Sequence, residues 1–290
     1  MSTIRLDKYL ADAGIGTRTQ IKTYIRKGLV SVNGARQLRP EFKICIGEDT
    51  ITFNDNEIKY SEFEYYLLNK PAGYVSATTD NVYPTVMSLI DSRRRDLFPV
   101  GRLDKDTEGL LLITNDGELS HRLLSPRHHI DKTYYAVLDG PVGEHEADLF
   151  AAGLEIGDDD LDVAMPALLE ILPGPLEFVS SYYNEVINNS AVHDSAVCDS
   201  AFRCKASEPP TYDQEEKKKT QDKATPHDMD RPGFVLITIE EGKYHQVKRM
   251  FQKVGRRVIY LRRISMGNLT LPDNLEPGQY IPIDISTLAI

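Results

Sequence analysis

Two stretches near the start of the chain carry apolar residues at the spacing of amphipathic helices. The first comprises Ile4, Leu6, Tyr9, Leu10 and Ala13, and the second comprises Ile21, Tyr24 and Ile25. Glycines interrupt the chain between the two stretches, and Thr17 or Thr19 can cap the second helix. The pattern therefore predicts two helices within residues 4–30, which lead into a short strand, 29–32, and a tight turn at Asn33-Gly34.

Beyond residue 60, short apolar runs with the length of strands replace the helical pattern. These runs are residues 65–69, 110–114, 133–138, 168–172, 234–239 and 256–261. Helical patterns are short here and fall at 118–124 and 246–251. Because strands and helices do not alternate regularly, we expect an α+β protein. A small N-terminal helical and β domain, 1–60, would be followed by a mixed, largely antiparallel β-sheet domain, 61–290.

Residues 184–231 follow neither pattern, and the segment is polar and contains several serines and prolines. A stretch of this length without periodicity is typical of an insert or linker. Its composition cannot bury enough apolar surface to offset the entropy of ordering. We therefore expect a flexible insert that takes no part in the chemistry. His193, Cys198 and Cys204 lie in it at a spacing that fits no common metal site, so we expect no metal there.

The net charge of −10 is distributed unevenly along the chain. Residues 1–45 carry a net charge of +6 and residues 231–290 carry +4, whereas residues 139–230 carry −15. Four cations fall roughly on one face of the second predicted helix: Arg18, Lys22, Arg26 and Lys27. This face is either merely solvated or a phosphate-binding surface. Since phosphate binding depends on local patches, the overall negative charge does not exclude a nucleic acid as partner.

Several classes of protein can be set aside. No apolar stretch is long enough to span a bilayer, and the opening residues MSTIRLDKYL lack the apolar core of a signal peptide. The three cysteines form no CxxC pair, and an odd, sparse set does not indicate a disulfide framework. We expect a cytoplasmic monomer with no membrane association.

The segment PVGRLDKDTEG, residues 99–109, holds two aspartates and an arginine in a loop bounded by glycines. It runs into the wholly apolar LLLIT, which is typical of a buried strand. By composition alone, the simplest interpretation is a polar turn in which Asp106 or Thr107 bonds to its own backbone.

Longer motifs change that interpretation. The opening segment RLDKYLADAGIGTRTQIKTYIRKGLVSVNG resembles the small RNA-binding domain named after ribosomal protein S4. The segment GRLDKDTEGLLLITNDGELSHRL resembles the active-site signature of pseudouridine synthases, in the form of the branch that acts on small-subunit ribosomal RNA. Three further segments agree with this family in the same order: KPAGYVSA at 70–77, SPRHHIDKTYYAVLDGPV at 125–142, and the segment from EGKYHQVKRM to EPGQY at 241–280.

The resemblance implies roles for individual residues. Asp104 would be the catalytic carboxylate, and Arg102 would hold the loop or the flipped nucleotide. Tyr134 would stack on the target base. Lys248 would pair with the aspartate. Many relatives in other branches have arginine at the position of Lys248, so the neighbouring Arg249 is a second candidate. The four cations of the second helix would contact RNA phosphates.

The residue types suit the reaction that the resemblance implies. Pseudouridine formation breaks the bond between ribose and uracil nitrogen, rotates the base and rejoins it through carbon five, so it needs no cofactor. A carboxylate acts as nucleophile or base only while it is ionised, and a neighbouring cation favours that form. The target base must be flipped out, and an aromatic face replaces its lost stacking.

We therefore expect a cofactor-free isomerase whose partner is ribosomal RNA. Two alternatives remain: the same chemistry on large-subunit RNA, and a non-catalytic RNA-binding factor for ribosome assembly. The HQVKRMF and SPRHH segments favour the small subunit.

Overall fold

The computed structural model describes residues 3–58, 60–92, 94–157, 162–177, 183–185 and 231–284. Most of the insert expected at 184–231, with His193, Cys198 and Cys204, lies outside these residues, so its flexibility stays a prediction. Within the described ranges no helix is long and apolar enough to cross a membrane.

The N-terminal part consists of two short helices and six short strands. These are β1 (Thr3–Arg5), α1 (Leu6–Asp12), α2 (Arg18–Arg26), β2 (Val30–Val32), β3 (Ala35–Arg36), β4 (Lys43–Cys45), β5 (Ile51–Phe53) and β6 (Asn56–Glu57). The strands form one sheet in the order β3-β2-β5-β6 and a separate pair, β1-β4. The two predicted helices are confirmed, but Ile4 was wrongly placed in the first. Its backbone instead pairs antiparallel with Ile44, so the helix begins only at Leu6.

The apolar stripes of α1 and α2 form the core of this part of the chain. Leu6, Leu10, Ile21 and Ile25 are fully buried, as the helical spacing predicts. Thr17 caps α2, because its hydroxyl accepts from the backbone N–H of Gln20 and the Gln20 side chain accepts from Thr17 in return. With its apolar face buried in this way, α2 turns its polar face to solvent.

The remainder of the chain is built around one nine-stranded sheet. The elements are β7 (Tyr65–Lys70), β8 (Phe98–Pro99), β9 (Glu108–Thr114), α3 (Gly117–Leu124), β10 (Lys132–Leu138), α4 (Glu144–Ala152), β11 (Leu154–Glu155), β12 (Val163–Ala164), β13 (Leu168–Leu172), β14 (Gly233–Ile239), α5 (Gln246–Lys253), β15 (Val258–Met266), β16 (Leu269–Thr270) and β17 (Tyr280–Pro282). The main strand order is β13-β14-β10-β15-β9-β7-β17, with β8 on β9 and β16 on β15. The expected α+β fold with a largely antiparallel sheet is confirmed. The predicted strand 256–261 begins later and is longer, as β15.

Strand β9 is buried along its whole length and carries the apolar run LLLIT. Leu110 and Leu112 belong to a core cluster that also contains Leu67 of β7 and Leu119 of α3. At its first residues β9 pairs in parallel with β15, and Gly109 lies opposite Arg263. A Cβ atom on Gly109 would lie 2.2 Å from the Arg263 carbonyl oxygen, and the residue has a φ of 103°, so glycine is required.

Helix α3 is fixed to β7 through one carboxylate. Asp116 caps the helix by accepting from the backbone N–H of Leu119 at 2.9 Å. Its other oxygen accepts from the Tyr65 hydroxyl, also at 2.9 Å. Burial, together with this hydrogen bond, raises the pKa of Tyr65 to about 12. The helix predicted at 118–124 is thus confirmed and tied to the strand that leads towards Lys70.

The described residues fall into two compact units. The first lies within Met1–Tyr135, Thr238–His245 and Leu261–Ile290, and the second within Ala136–Ile237 and Gln246–Tyr260. The first unit contains the N-terminal elements as well as β7 and β9, so the domain boundary expected at residue 60 stays a prediction.

The second unit contains α4, the hairpin β11–β12 and α5. Phe150 of α4 packs against Phe251 of α5, with ring centroids 5.0 Å apart. The Lys253 ammonium donates to the Gly157 carbonyl at 2.8 Å, which ties α5 to the chain after β11.

Candidate active site

Asp104 lies on the loop that joins β8 to β9, in the first unit. The loop leaves β8 through Gly101, whose φ of 75° few other residues adopt. It then turns at Asp104, whose carbonyl accepts from the Thr107 backbone N–H at 3.1 Å. The Asp104 carboxylate is partly buried, with 27% of its side chain exposed. It is therefore sheltered from bulk water and still accessible from outside.

A buried lysine anchors this loop. Lys70, the last residue of β7, has no exposed surface. Its ammonium donates to the carbonyl oxygens of Thr107 at 2.8 Å, Pro71 at 3.1 Å and Lys105 at 3.2 Å. Three acceptors match the three N–H donors of an ammonium, which is the condition for burying such a cation. Lys70 therefore fixes the backbone on the C-terminal side of Asp104.

Ser76 fixes the other side of Asp104. Its hydroxyl donates to the Leu103 carbonyl at 2.9 Å and accepts from the Leu103 backbone N–H at 3.0 Å. Gly73 adds a backbone hydrogen bond to the Lys105 carbonyl at 2.8 Å. The segment KPAGYVSA therefore acts as a support for the aspartate loop, so both residues flanking Asp104 are held by it.

His245 is a side chain that the structure places beside the aspartate, and sequence reasoning did not single it out. Its Nε2 atom lies 3.4 Å from an Asp104 carboxylate oxygen, which is ion-pair distance when the imidazole is protonated. Its backbone is left-handed, with a φ of 49°. The only signal in the sequence was its position in the HQV motif, directly before α5.

The first unit also holds buried cations on the strands of its sheet. Lys132 of β10 donates to the carbonyls of Ile130 and Glu240, at 2.8 and 2.9 Å. Arg263 of β15 donates to the Leu110 carbonyl at 2.8 Å. Burial lowers the pKa of Lys132, and the nearby Arg263 guanidinium lowers it further. Both cations are held by backbone carbonyls and so reinforce the strands beneath the aspartate loop.

The other predicted site residues have different surroundings. Arg102 is exposed on the aspartate loop, and Tyr134 of β10 is 8% exposed. Lys248 and Arg249 lie in the second unit, on α5. Arg249 forms an ion pair with Asp162. It also donates to the Ile156 carbonyl at 3.2 Å, so it has a structural role within that unit.

The basic face of α2 is open to solvent. All four predicted cations are exposed: Arg18, Lys22, Arg26 and Lys27. Among the residues that the structure describes, no carboxylate lies within ion-pair distance of them. These charges are therefore not neutralised by direct pairing within the described chain, as a phosphate-binding surface requires.

Known proteins resemble this chain over nearly its whole length. Residues 64–253 match the family model described as RNA pseudouridylate synthase, and residues 4–51 match the S4 domain. An RNA pseudouridine synthase of Bacillus subtilis named YtzG is 34% identical over 96% of this chain and 93% of its own. Ribosomal small subunit pseudouridine synthase A of Salmonella typhimurium is 33% identical, and that of Escherichia coli K12 is 32% identical, each over 99% of both chains.

A crystal structure of a pseudouridylate synthase is also similar, with a TM-score of 0.54 and 33% identity over 98% of this chain and 97% of its own. A synthase model that matches residues 64–253, preceded by an S4 domain at 4–51, defines an RNA-modifying enzyme. The chain belongs to the RNA pseudouridylate synthase family. It is accordingly a pseudouridine synthase, an isomerase of RNA.

The anchoring of the loop predicts the effect of Ser76→Ala on stability. This change leaves the backbone N–H and carbonyl of buried Leu103 without their partner, so we expect a loss of about 1–3 kcal/mol in the free energy of unfolding. Ser88→Ala is the matched control, because the Ser88 hydroxyl bonds to a carbonyl at an exposed site. It should change stability by less than about 0.5 kcal/mol. Urea unfolding measures both, and equal losses would contradict the anchoring role.

Proposed function

We propose that the protein converts a uridine of small-subunit ribosomal RNA into pseudouridine, with Asp104 as the catalytic carboxylate. The observation that carries the proposal is the position of Asp104: a partly exposed carboxylate on a loop whose two sides are fixed by Lys70 and Ser76. Relatives that are named for the small ribosomal subunit match this chain over 99% of its length, which supports this choice of RNA.

Such a fixed carboxylate suits this isomerisation. The bond between ribose and uracil nitrogen breaks, the base rotates, and a bond from ribose to carbon five forms. Carbon five then releases its proton, and the freed ring nitrogen takes up a proton in return. Substrate and product contain the same atoms, so the reaction needs no group donor and no oxidant. An ionised carboxylate supplies the nucleophile or base. A rigid loop holds this carboxylate at the reacting atoms, so no conformational entropy is lost in ordering it during the reaction.

A histidine lies beside the Asp104 carboxylate. His245 lies within ion-pair distance and is cationic when it is protonated. Lys248 is proposed as a further cation that pairs with the carboxylate, as the family motif implies. Arg249 stays the second candidate for this role.

The substrate must present its uridine outside the RNA stack. A base inside a helix cannot be reached by the carboxylate, so the nucleotide is flipped into the site. Tyr134 is proposed to stack on the flipped base, and Arg102 to hold the loop or the nucleotide. The four cations of α2 are proposed to bind phosphates of the same RNA and so position it.

Exchange of Asp104 for asparagine tests the chemistry. Asp104→Asn keeps the shape of the side chain but removes its charge, so turnover should fall by at least about a thousandfold. RNA affinity, measured by filter binding, should stay close to that of the wild type. The assay is tritium release from carbon five of uridine in small-subunit ribosomal RNA and its assembly intermediates.

Asp106→Asn is the matched control for this experiment, since Asp106 is an exposed carboxylate of the same loop. It should retain most of the activity. Easily measured turnover by Asp104→Asn would overturn the assignment of the carboxylate. RNA binding by the wild type without any turnover would favour a non-catalytic assembly factor.

The salt dependence of RNA binding tests the basic face of α2. Replacement of Arg18, Lys22, Arg26 and Lys27 by glutamine should weaken binding. It should also flatten the slope of log affinity against log salt by roughly 0.7–0.9 for each phosphate that is no longer neutralised. Arg257→Gln is a control, because Arg257 is exposed but lies in the other unit. An unchanged slope in the quadruple variant would mean that this face is merely solvated.

A further inference from the structure

Two stacked aromatic side chains lie next to Asp104, and the outer one is exposed. The ring of Tyr244 lies on the ring of His245, with centroids 3.9 Å apart and an angle of 16° between the planes. The inner ring, His245, is the one whose Nε2 atom lies 3.4 Å from Asp104. The outer ring belongs to a residue that is 70% exposed, the most exposed tyrosine in the part of the chain that the structure describes.

The backbone of this segment is set so that the stack can form. His245 has a φ of 49°, in the left-handed region that few residues other than glycine adopt. Such a conformation costs free energy and persists where the surroundings impose it, which is often the case at functional sites. Here it occurs at the junction between an exposed segment and α5, and it accompanies the close approach of the imidazole to the carboxylate.

The stack offers one ring face to a ligand. His245 covers one face of Tyr244, and an exposure of 70% leaves much of the opposite face in contact with solvent. An aromatic face open to water is a platform for another flat ring, because stacking removes apolar surface from water on both sides. In an RNA-modifying enzyme the flat rings supplied by the substrate are nucleobases.

We infer that Tyr244, backed by His245, is a stacking subsite for a nucleobase next to the uridine that Asp104 attacks. The inference rests on the proposed function and extends it to a second nucleotide. Flipping a uridine out of the RNA disrupts the stacking of its neighbours as well. A platform beside the carboxylate replaces the stacking that one neighbour gives up. Since every base has a π-face, the subsite accepts any base and favours unpaired RNA around the target.

Three variants test the subsite. Tyr244→Ala removes the ring and should weaken the affinity for a small-subunit ribosomal RNA transcript by roughly tenfold, within the range for removal of one stacked base. Tyr244→Phe keeps the ring face and should bind within about twofold of the wild type, on the same stacking argument. Phe63→Ala is the matched control: it removes an exposed aromatic that precedes β7, at the end of the strand away from Lys70. It should leave affinity unchanged.

Filter binding measures the RNA affinities, and urea unfolding shows whether each variant is folded. Tyr244→Ala should unfold at the wild-type midpoint, because the Tyr244 side chain is exposed. Wild-type affinity in Tyr244→Ala would overturn the inference. An equal loss in Tyr244→Phe would overturn it too, because the hydroxyl and not the ring face would then be responsible. Turnover is measured separately. Absence of pseudouridine in the wild-type reaction would refute the proposed function, whereas the RNA affinities of the variants would still test the stacking subsite.

Discussion

The buried ammonium of Lys70 is the interaction on which the geometry of the site depends. It lies at the end of β7 and donates to the carbonyls of Thr107 and Lys105 on the aspartate loop. A cation without exposure is tolerated only when its donors are satisfied, so loop and lysine require each other. Because Ser76 holds Leu103 at the same time, Asp104 has fixed backbone on both sides. The backbone that carries its carboxylate is therefore held in place by the chain itself.

This anchoring works because the strands beneath it are rigid. Strand β9 follows the loop directly and is buried throughout. Its parallel pairing with β15 brings the backbone of Arg263 so close to Gly109 that a side chain there would overlap it. The loop thus leads into a strand that is buried throughout, while His245, which stacks on Tyr244, lies beside the same carboxylate. A supported loop and an exposed stacking surface together suit the proposed RNA substrate, whose bases next to the flipped uridine lose their stacking.

The sequence predicted those features whose interacting residues lie near one another in the chain. The stripes Leu6–Leu10 and Ile21–Ile25 predicted the helices, and the GRLD motif predicted the loop of Asp104. The strand at Ile4 was missed because its pairing with Ile44 joins backbone that is distant in the chain. The support by Lys70 was not predicted either, since hydrogen bonds from a lysine to main-chain carbonyls do not depend on which side chains the loop carries. The approach of His245 to Asp104 became apparent only from the folded chain, because the two residues are distant in the sequence.

The central claim is that this chain makes pseudouridine in small-subunit ribosomal RNA. Mapping of pseudouridine in the ribosomal RNA of cells with and without the gene tests it most directly. We expect that a small-subunit pseudouridine disappears when the gene is removed and returns with the wild-type gene, while large-subunit RNA is unchanged. An unaltered small-subunit map, or a loss confined to large-subunit RNA, would contradict it.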